Sequence, residues 1–547
     1  MIRSVFKVLA PVVCIFLATE VYGQSSYISS VWQPELANGK YKNPILYSDY
    51  SDPDVCRVGD DFYMTASSFN AVPGLPILHS KDMIHWEIIN HAIPRLEASE
   101  GIPIDFFNKA QHGNGVWAPS IRHHNGEFYI YYGDPDFGIF MTKTKDPRGN
   151  WEPLVLVKAG KGLIDACPFW DDDGNVYLAH AYAGSRAGIK SLIAVSRLTT
   201  DGKKAVGTSK IIYDGHELDK TIEGPKFYKR NGYYYIFCPA GGVATGWQTI
   251  LRSKDVFGPY ERKVVLAQED TDVNGPHQGA WVNSPDGKDW FYHFQDVGVV
   301  GRIVHLQPMK WSNDWPVIGE DKGQDGIGRP VKSHAKPIAN TVKKHPQESD
   351  EFNTNALGLQ WQWHGNPEDW WHYTNVNSGV LSLYSVAIPQ SYKNLFDVPN
   401  LLLQKIPAPE FVATTKLDFK PNPQAKKERS GLVIMGMDYA VLAVEYESGN
   451  YKLAQIECYG AEKGKQELVN ESVALQNGQI YLQVKYIKDN TCQFYYSLDG
   501  KDFKLLGKSF KAREGKWIGA KVGVFCSRSF PLNDGGQADI DWFRMSK

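Results

Sequence analysis

Short apolar and aromatic runs separated by glycine turns dominate the first three-fifths of the chain. Residues 48–63 set the plan: Asp52-Pro53, an apolar strand, a turn at Gly59-Asp60, then the aromatic strand Asp61-Phe62-Tyr63. The same plan returns at 118–130, 165–178, 223–236 and 279–292. Each copy has a second half. Residues 76–80 lead into Lys81-Asp82 and Trp86, 138–144 into Lys145-Asp146 and Trp151, and 249–253 into Lys254-Asp255 and Tyr260. Looser versions stand at 192–199 and 302–308. Two hairpins per unit give about four strands, and five units at roughly 50–65 residue spacing predict a five-bladed β-propeller.

The texture changes beyond residue 318. Residues 319–344 carry Gly, Lys and Asp without a sustained apolar period and read as a linker, just as 27–42 reads as a polar lead-in. Short strands then follow at 379–384, 411–419, 430–435, 440–446, 451–457, 480–488, 492–497 and 521–526. Hairpin turns are marked by Asn477-Gly478 and Asp499-Gly500. This spacing predicts a two-sheet jelly-roll sandwich. No long amphipathic period is present, so the chain reads as all-β, with the propeller at 24–335 and the sandwich at 345–547.

Composition narrows the function. At 547 residues, 42% hydrophobic and 22% charged, the chain suits a globular protein of two or three domains. A net charge of −2 without a long basic run excludes the electrostatic footprint of a nucleic-acid binder. Arg3 and Lys7 precede an apolar stretch at 8–19, and Gly23 ends a small-residue site. That pattern is an export signal cleaved near Gly23, which puts the mature protein in a periplasm or outside the cell. Twelve apolar residues are too few to span a membrane. Cys14 follows Val13 rather than a small residue, which favours plain cleavage over a lipid anchor. Six cysteines remain after cleavage and none forms Cys-x-x-Cys; Cys56, Cys167 and Cys238 lie in apolar strands and read as buried thiols.

The chemistry is suggested by the blade openers. In a propeller the first strand of each blade lines the central channel, and Asp52, Asp165 and Glu223 open three of the five, against Ala118 and Gly279 in the others. Three acids at one channel mouth repel one another and lose solvent, which raises at least one pKa. Glycoside hydrolysis needs one acid protonated and another ionised; with a water between them, the two stand about 6.5–9.5 Å apart and configuration inverts. Asp54 shares a strand face with Asp52 and is its rival, although the other acids precede their blade's proline, which favours Asp52. The run Asp171-Asp172-Asp173-Gly174 reads as a solvated hairpin turn rather than a calcium loop.

Asn43-Pro44-Ile45-Leu46 before Asp52-Pro53-Asp54, residues 57–63, residues 73–82, Trp117-Ala118-Pro119, Glu223-Gly224-Pro225 and Gly301-Arg302 with Gln307-Pro308 together resemble glycoside hydrolase family 43 with its C-terminal, concanavalin-like β-sandwich. The resemblance covers nearly the whole mature chain and implies an inverting enzyme without a catalytic cofactor. By it Asp52 is the general base, Glu223 the general acid and Asp165 the residue that orients and tunes the acid. It also implies sugar contacts from Phe69, Trp117 and Arg302, with His277 in the channel beneath the base, and a structural calcium at Glu351 and Asp541. An indole stacks on a sugar face and a guanidinium forks to two hydroxyls, so these residue types suit xylo- or arabino-oligosaccharides. The expected activity is release of terminal β-1,4-linked xylose, with α-L-arabinofuranosidase activity as companion or alternative. Some xylosidases of the family lend the pocket an aromatic from the sandwich near the position of Lys521 here, which weakens the xylosidase assignment. A non-catalytic carbohydrate-binding propeller would need one of the three acids lost, and a retaining fructan-type hydrolase normally opens on Asn-Asp-Pro.

Overall fold

The computed structural model describes residues 27–97, 109–339 and 341–547. The export signal expected at 1–23 lies outside them. Five four-stranded antiparallel sheets follow one another in chain order. The first is Asp54–Val58, Asp61–Thr65, Gly74–Ser80 and Glu87–Ile93, and the second Trp117–His124, Glu127–Asp134, Gly138–Thr144 and Val155–Ala159. The third is Leu163–Trp170, Val176–Tyr182, Leu192–Leu198 and Ala205–Asp214. The fourth is Lys226–Arg230, Tyr233–Ala240, Trp247–Ser253 and Glu261–Ala267, and the fifth Trp281–Asn283, Asp289–Asp296, Arg302–Ser312 and Trp315–Ile318.

Apolar side chains between neighbouring blades hold the ring together. Ile77, Ile121 and Ile130 pack between the first and second blades, Met141, Ala166 and Leu178 between the second and third, and Val195, Phe227 and Ile236 between the third and fourth. Phe237, Ile250 and Phe291 join the fourth to the fifth, while Val55, Phe62, Tyr292 and Leu306 join the fifth to the first. Closure comes from the segment ahead of the first blade. Ile45 N–H donates to Val304 O at 2.8 Å, and the Tyr41 hydroxyl donates to Leu306 O at 2.7 Å. This covers the edge of Arg302–Ser312 that the short last strand leaves free, since an unpaired edge is a liability.

The lead-in and the linker are more ordered than their polar composition suggests. Lys40–Lys42 pairs with Ser333–Ala335, because two chain ends brought side by side satisfy each other's backbone groups. The C-terminal part is two eight-stranded sheets face to face, antiparallel except where Val386–Ala387 runs parallel to Lys521–Arg528. Leu432, Leu442, Val484, Phe494, Val524 and Ile540 fill the space between them. The strand Leu468–Leu475 escapes a periodicity reading because it is a largely exposed edge strand with no buried face. Among the described residues the α-helix Gly184–Ala187 is four residues long, and no helix is long and apolar enough to cross a membrane. All six described cysteines are free, and all but Cys56 are buried.

Candidate active site

Each inner strand is entered through a residue with positive φ: Asp52 at 55°, Ala118 at 34°, Asp165 at 60°, Gly224 at 59° and Gln278 at 29°. A non-glycine residue there is strained, and aspartate tolerates the left-handed region better than most. Asp52 and Asp165 occupy this shared position, but Glu223 does not. It stands one residue earlier, so the matched register expected for all three acids holds for two. A Cβ at Gly224 would lie 2.5 Å from Gln278 Cγ, which is why the kink itself is glycine. The offset has a chemical consequence. Asp52 and Asp165 are 5% and 2% exposed, whereas the Glu223 side chain is 30% exposed and stands out at the rim.

Asp52 is surrounded by groups that can only donate to it. Arg302 Nη1 contacts Oδ1 at 3.1 Å and Oδ2 at 3.3 Å. The Ser51 hydroxyl accepts from Arg302 Nη1 at 2.6 Å and donates to Oδ2 at 2.7 Å. The Ser67 hydroxyl accepts from Ala118 N–H at 2.7 Å and donates to Oδ2 at 2.5 Å. Both serine protons are therefore directed at the carboxylate, while Oδ1 keeps lone-pair capacity for a further donor. Asp54, the rival, is a different kind of group. It is fully buried, binds Arg122 Nη1 at 2.5 Å and accepts Ile121 N–H at 2.7 Å, so it ties the first blade to the second.

Asp165 accepts Gly224 N–H at 2.7 Å. Burial, then the negative charge of Glu223 and, more weakly, that of Asp52, push its carboxyl well above the usual range. The charges of the three acids thus act on one another, as the openers predicted. Glu223 Oε1 lies 2.9 Å from His277 Nε2, and that imidazole is fully buried, 5.5 Å from the Phe294 ring. His277 therefore contacts the expected acid.

Phe69 and Trp117 meet edge-to-face at 6.1 Å, and Phe69 is buried at φ 49°. Trp117 Nε1–H donates to Gly113 O at 3.1 Å. On its other side, at 6.1 Å, stands Trp517, 44% exposed, on a sandwich loop. An aromatic from the sandwich does reach this site: Trp517, four residues ahead of Lys521. Lys521 is instead buried in the domain seam, 3.5 Å from Gln362 Oε1. Arg302 and Trp517 border a cavity of about 320 Å³ shared by both domains, with Asp296, Glu514 and Lys516 around it. Arg302 is 8% exposed and braced by Asp52, so its position is set before any sugar arrives.

Sequence reasoning missed Ser51, Ser67 and Trp517. Serine hydroxyls carry no distinctive spacing. A lone tryptophan in the polar run Glu514-Gly515-Lys516 was the available signal, because large aromatics on polar loops mark binding. The expected calcium ligands do not form a cage. Glu351 makes a bidentate pair with Arg544 at 2.7 Å for both bonds, and Asp541 pairs with Lys416 at 2.7 Å. Among the described residues no cluster of three or more His, Cys, Asp or Glu side chains could hold a metal. Asp171 closes its hairpin turn, accepts the Tyr234 hydroxyl at 2.5 Å and pairs with Lys229.

A five-bladed propeller whose channel mouth gathers three interacting carboxylates beside aromatic side chains defines a glycoside hydrolase. The chain belongs to glycosyl hydrolases family 43: residues 41–316 match that family, and residues 349–546 match the beta xylosidase C-terminal concanavalin A-like domain. A relative from Xylanibacter ruminicola that carries a provisional beta-xylosidase name is 39% identical over 492 residues, 89% of this chain and 86% of the relative. A non-reducing end alpha-L-arabinofuranosidase from Bacteroides ovatus is 28% identical over 539 residues, 93% of this chain and 95% of the relative. The crystal structure of a family 43 protein from Bacillus licheniformis superposes with a TM-score of 0.79 at 27% identity, covering 93% of this chain and 99% of that one.

Proposed function

We propose that this chain is an exported, exo-acting, inverting hydrolase that removes terminal β-1,4-linked xylose from xylan-derived oligosaccharides. The observation that carries the reading is the division of labour between two carboxylates. Asp52 is deep and held by donors alone, so it is suited to take a proton from water through Oδ1. Glu223 is at the rim, oriented by His277, and suited to give a proton to the glycosidic oxygen. Attack by water from one side as the leaving oxygen departs on the other inverts the anomeric carbon in one step. Asp165, whose carboxyl is raised by burial and then by the charges of Glu223 and Asp52, keeps the protons of the group from leaving together. Trp517 narrows the approach to Trp117, which favours a chain end over an internal linkage.

Xylose is preferred over arabinose because the relative with a xylosidase name stands at 39% identity against 28% for the arabinofuranosidase, and because the sandwich match is to a xylosidase domain. Parallel assays on an aryl β-xyloside and an aryl α-arabinofuranoside decide it. A large excess on the xyloside is expected, a ratio near unity means dual specificity, and arabinoside preference reverses the reading. Glu223→Gln abolishes hydrolysis of unactivated xylobiose while the fold persists; full activity in that variant excludes Glu223 as acid. Proton NMR of the first-formed sugar gives the α anomer if configuration inverts. Amino-terminal sequencing of protein recovered outside the cytoplasm tests cleavage near Gly23.

A further inference from the structure

Asp49 lies three residues before Asp52 and is 3% exposed. Its Oδ1 accepts the backbone N–H of Arg302 at 2.9 Å, and its Oδ2 accepts the backbone N–H of Gly519 at 2.8 Å. Arg302 is the side chain braced against Asp52. Gly519 belongs to the sandwich and follows Trp517 by two residues. One carboxylate therefore joins the propeller residue that holds the base to the sandwich loop that sets the outer aromatic.

The surroundings leave this joint little slack. A Cβ at Gly301 would lie 2.5 Å from Asp49 Cγ, and a Cβ at Gly519 would lie 2.2 Å from Val300 O. Next to it, Ala520 N–H donates to Val299 O at 2.7 Å. The two domains thus meet backbone to backbone, and at Gly519 the distance leaves no room for a side chain. Two lysines of the seam, Lys405 and Lys521, face each other across paired strands of the sandwich, and burial pushes both below the usual lysine range. Lys405 Nζ is buried 5.1 Å from the Tyr50 ring centroid. A buried carboxylate with both oxygens bonded holds its geometry firmly, since breaking either bond strands a charge.

We propose that Asp49 is a positioning residue: it fixes the Arg302 that orients the base and the 515–519 loop that carries Trp517, so both walls of the pocket are set by one carboxylate. This rests on the reading of Asp52 as general base. An Asn at 49 can accept one of the two N–H groups, but its own amide hydrogens oppose the other.

The test is steady-state kinetics on xylobiose with Asp49→Asn, Gly519→Ala and Asp52→Asn, alongside melting curves. Asp49→Asn is expected to lower kcat/KM tenfold or more, with kcat falling and KM rising together. Gly519→Ala displaces the loop without removing the carboxylate, and is expected to raise KM several-fold with kcat within twofold of the parent. A merely structural role would instead lower activity in proportion to the unfolded fraction and leave KM alone, which overturns the proposal. So does retention of kcat and KM within twofold in both variants while Asp52→Asn is inactive. Full activity in Asp52→Asn refutes the base assignment instead. If Asp49→Asn does not fold, an unchanged KM in Gly519→Ala still overturns the proposal.

Discussion

Replacing Asp165 by Asn should make the protein more stable and less active. Asp165 is 2% exposed, and the Gly224 N–H is the hydrogen bond it accepts. Burial, with Glu223 and Asp52 nearby, raises its carboxyl well above the usual range. The native protein therefore binds this proton more tightly than the unfolded chain does. The stability so gained is fully present below the unfolded pKa of about 3.9 and is lost as pH rises through the folded value. Asn keeps an acceptor for Gly224 and does not titrate. Holding a charged carboxylate out of water costs about 1–3 kcal/mol. That is the gain expected for the variant at pH 8, seen as a melting point roughly 2–6 °C higher for a domain of this size. At pH 4 the two proteins converge. Activity moves the other way: general acid–base catalysis is worth about 10²–10⁴ in rate, and loss of the acid's partner should cost on the order of 10² in kcat/KM on xylobiose. Scanning calorimetry between pH 4 and pH 8, with kinetics on the same samples, provides the assay. A variant that melts lower at pH 8, or one displaced equally at both pH values, refutes the reasoning.

Trp517→Ala should raise KM for xylobiose about 2- to 10-fold, the equivalent of one aromatic contact of roughly 0.5–1.5 kcal/mol, without changing the melting point of a side chain that is 44% exposed. An unchanged KM removes Trp517 from the pocket. Asp54→Asn leaves the Arg122 guanidinium unpaired in the channel and should cost about 3–5 kcal/mol of stability, measured by denaturant melting, while kcat of the folded fraction persists. A stable but inactive Asp54→Asn would make Asp54 the base instead.

The sequence by itself determined the ring of blades, because its determinants are local. Each turn, from Gly59 through Gly126, Gly174 and Gly232 to Gly287, adopts positive φ, and the aromatic strand after each supplies the surface that packs on the next blade. Repetition did the rest, since five copies of one motif leave few other ways to bury five apolar faces. The acids were legible for the same reason: Asp52 and Asp165 sit at a fixed place in the repeat. Tertiary structure decided what no repeat encodes. That Asp54 is tied up in an ion pair depends on Arg122 reaching across from the second blade. Trp517 is 400 residues from Trp117 in sequence and meets it because Asp49 and Gly519 lock two domains at backbone distance. Contacts across such separations follow from how finished surfaces fit, and no local pattern of apolar and polar residues records that fit.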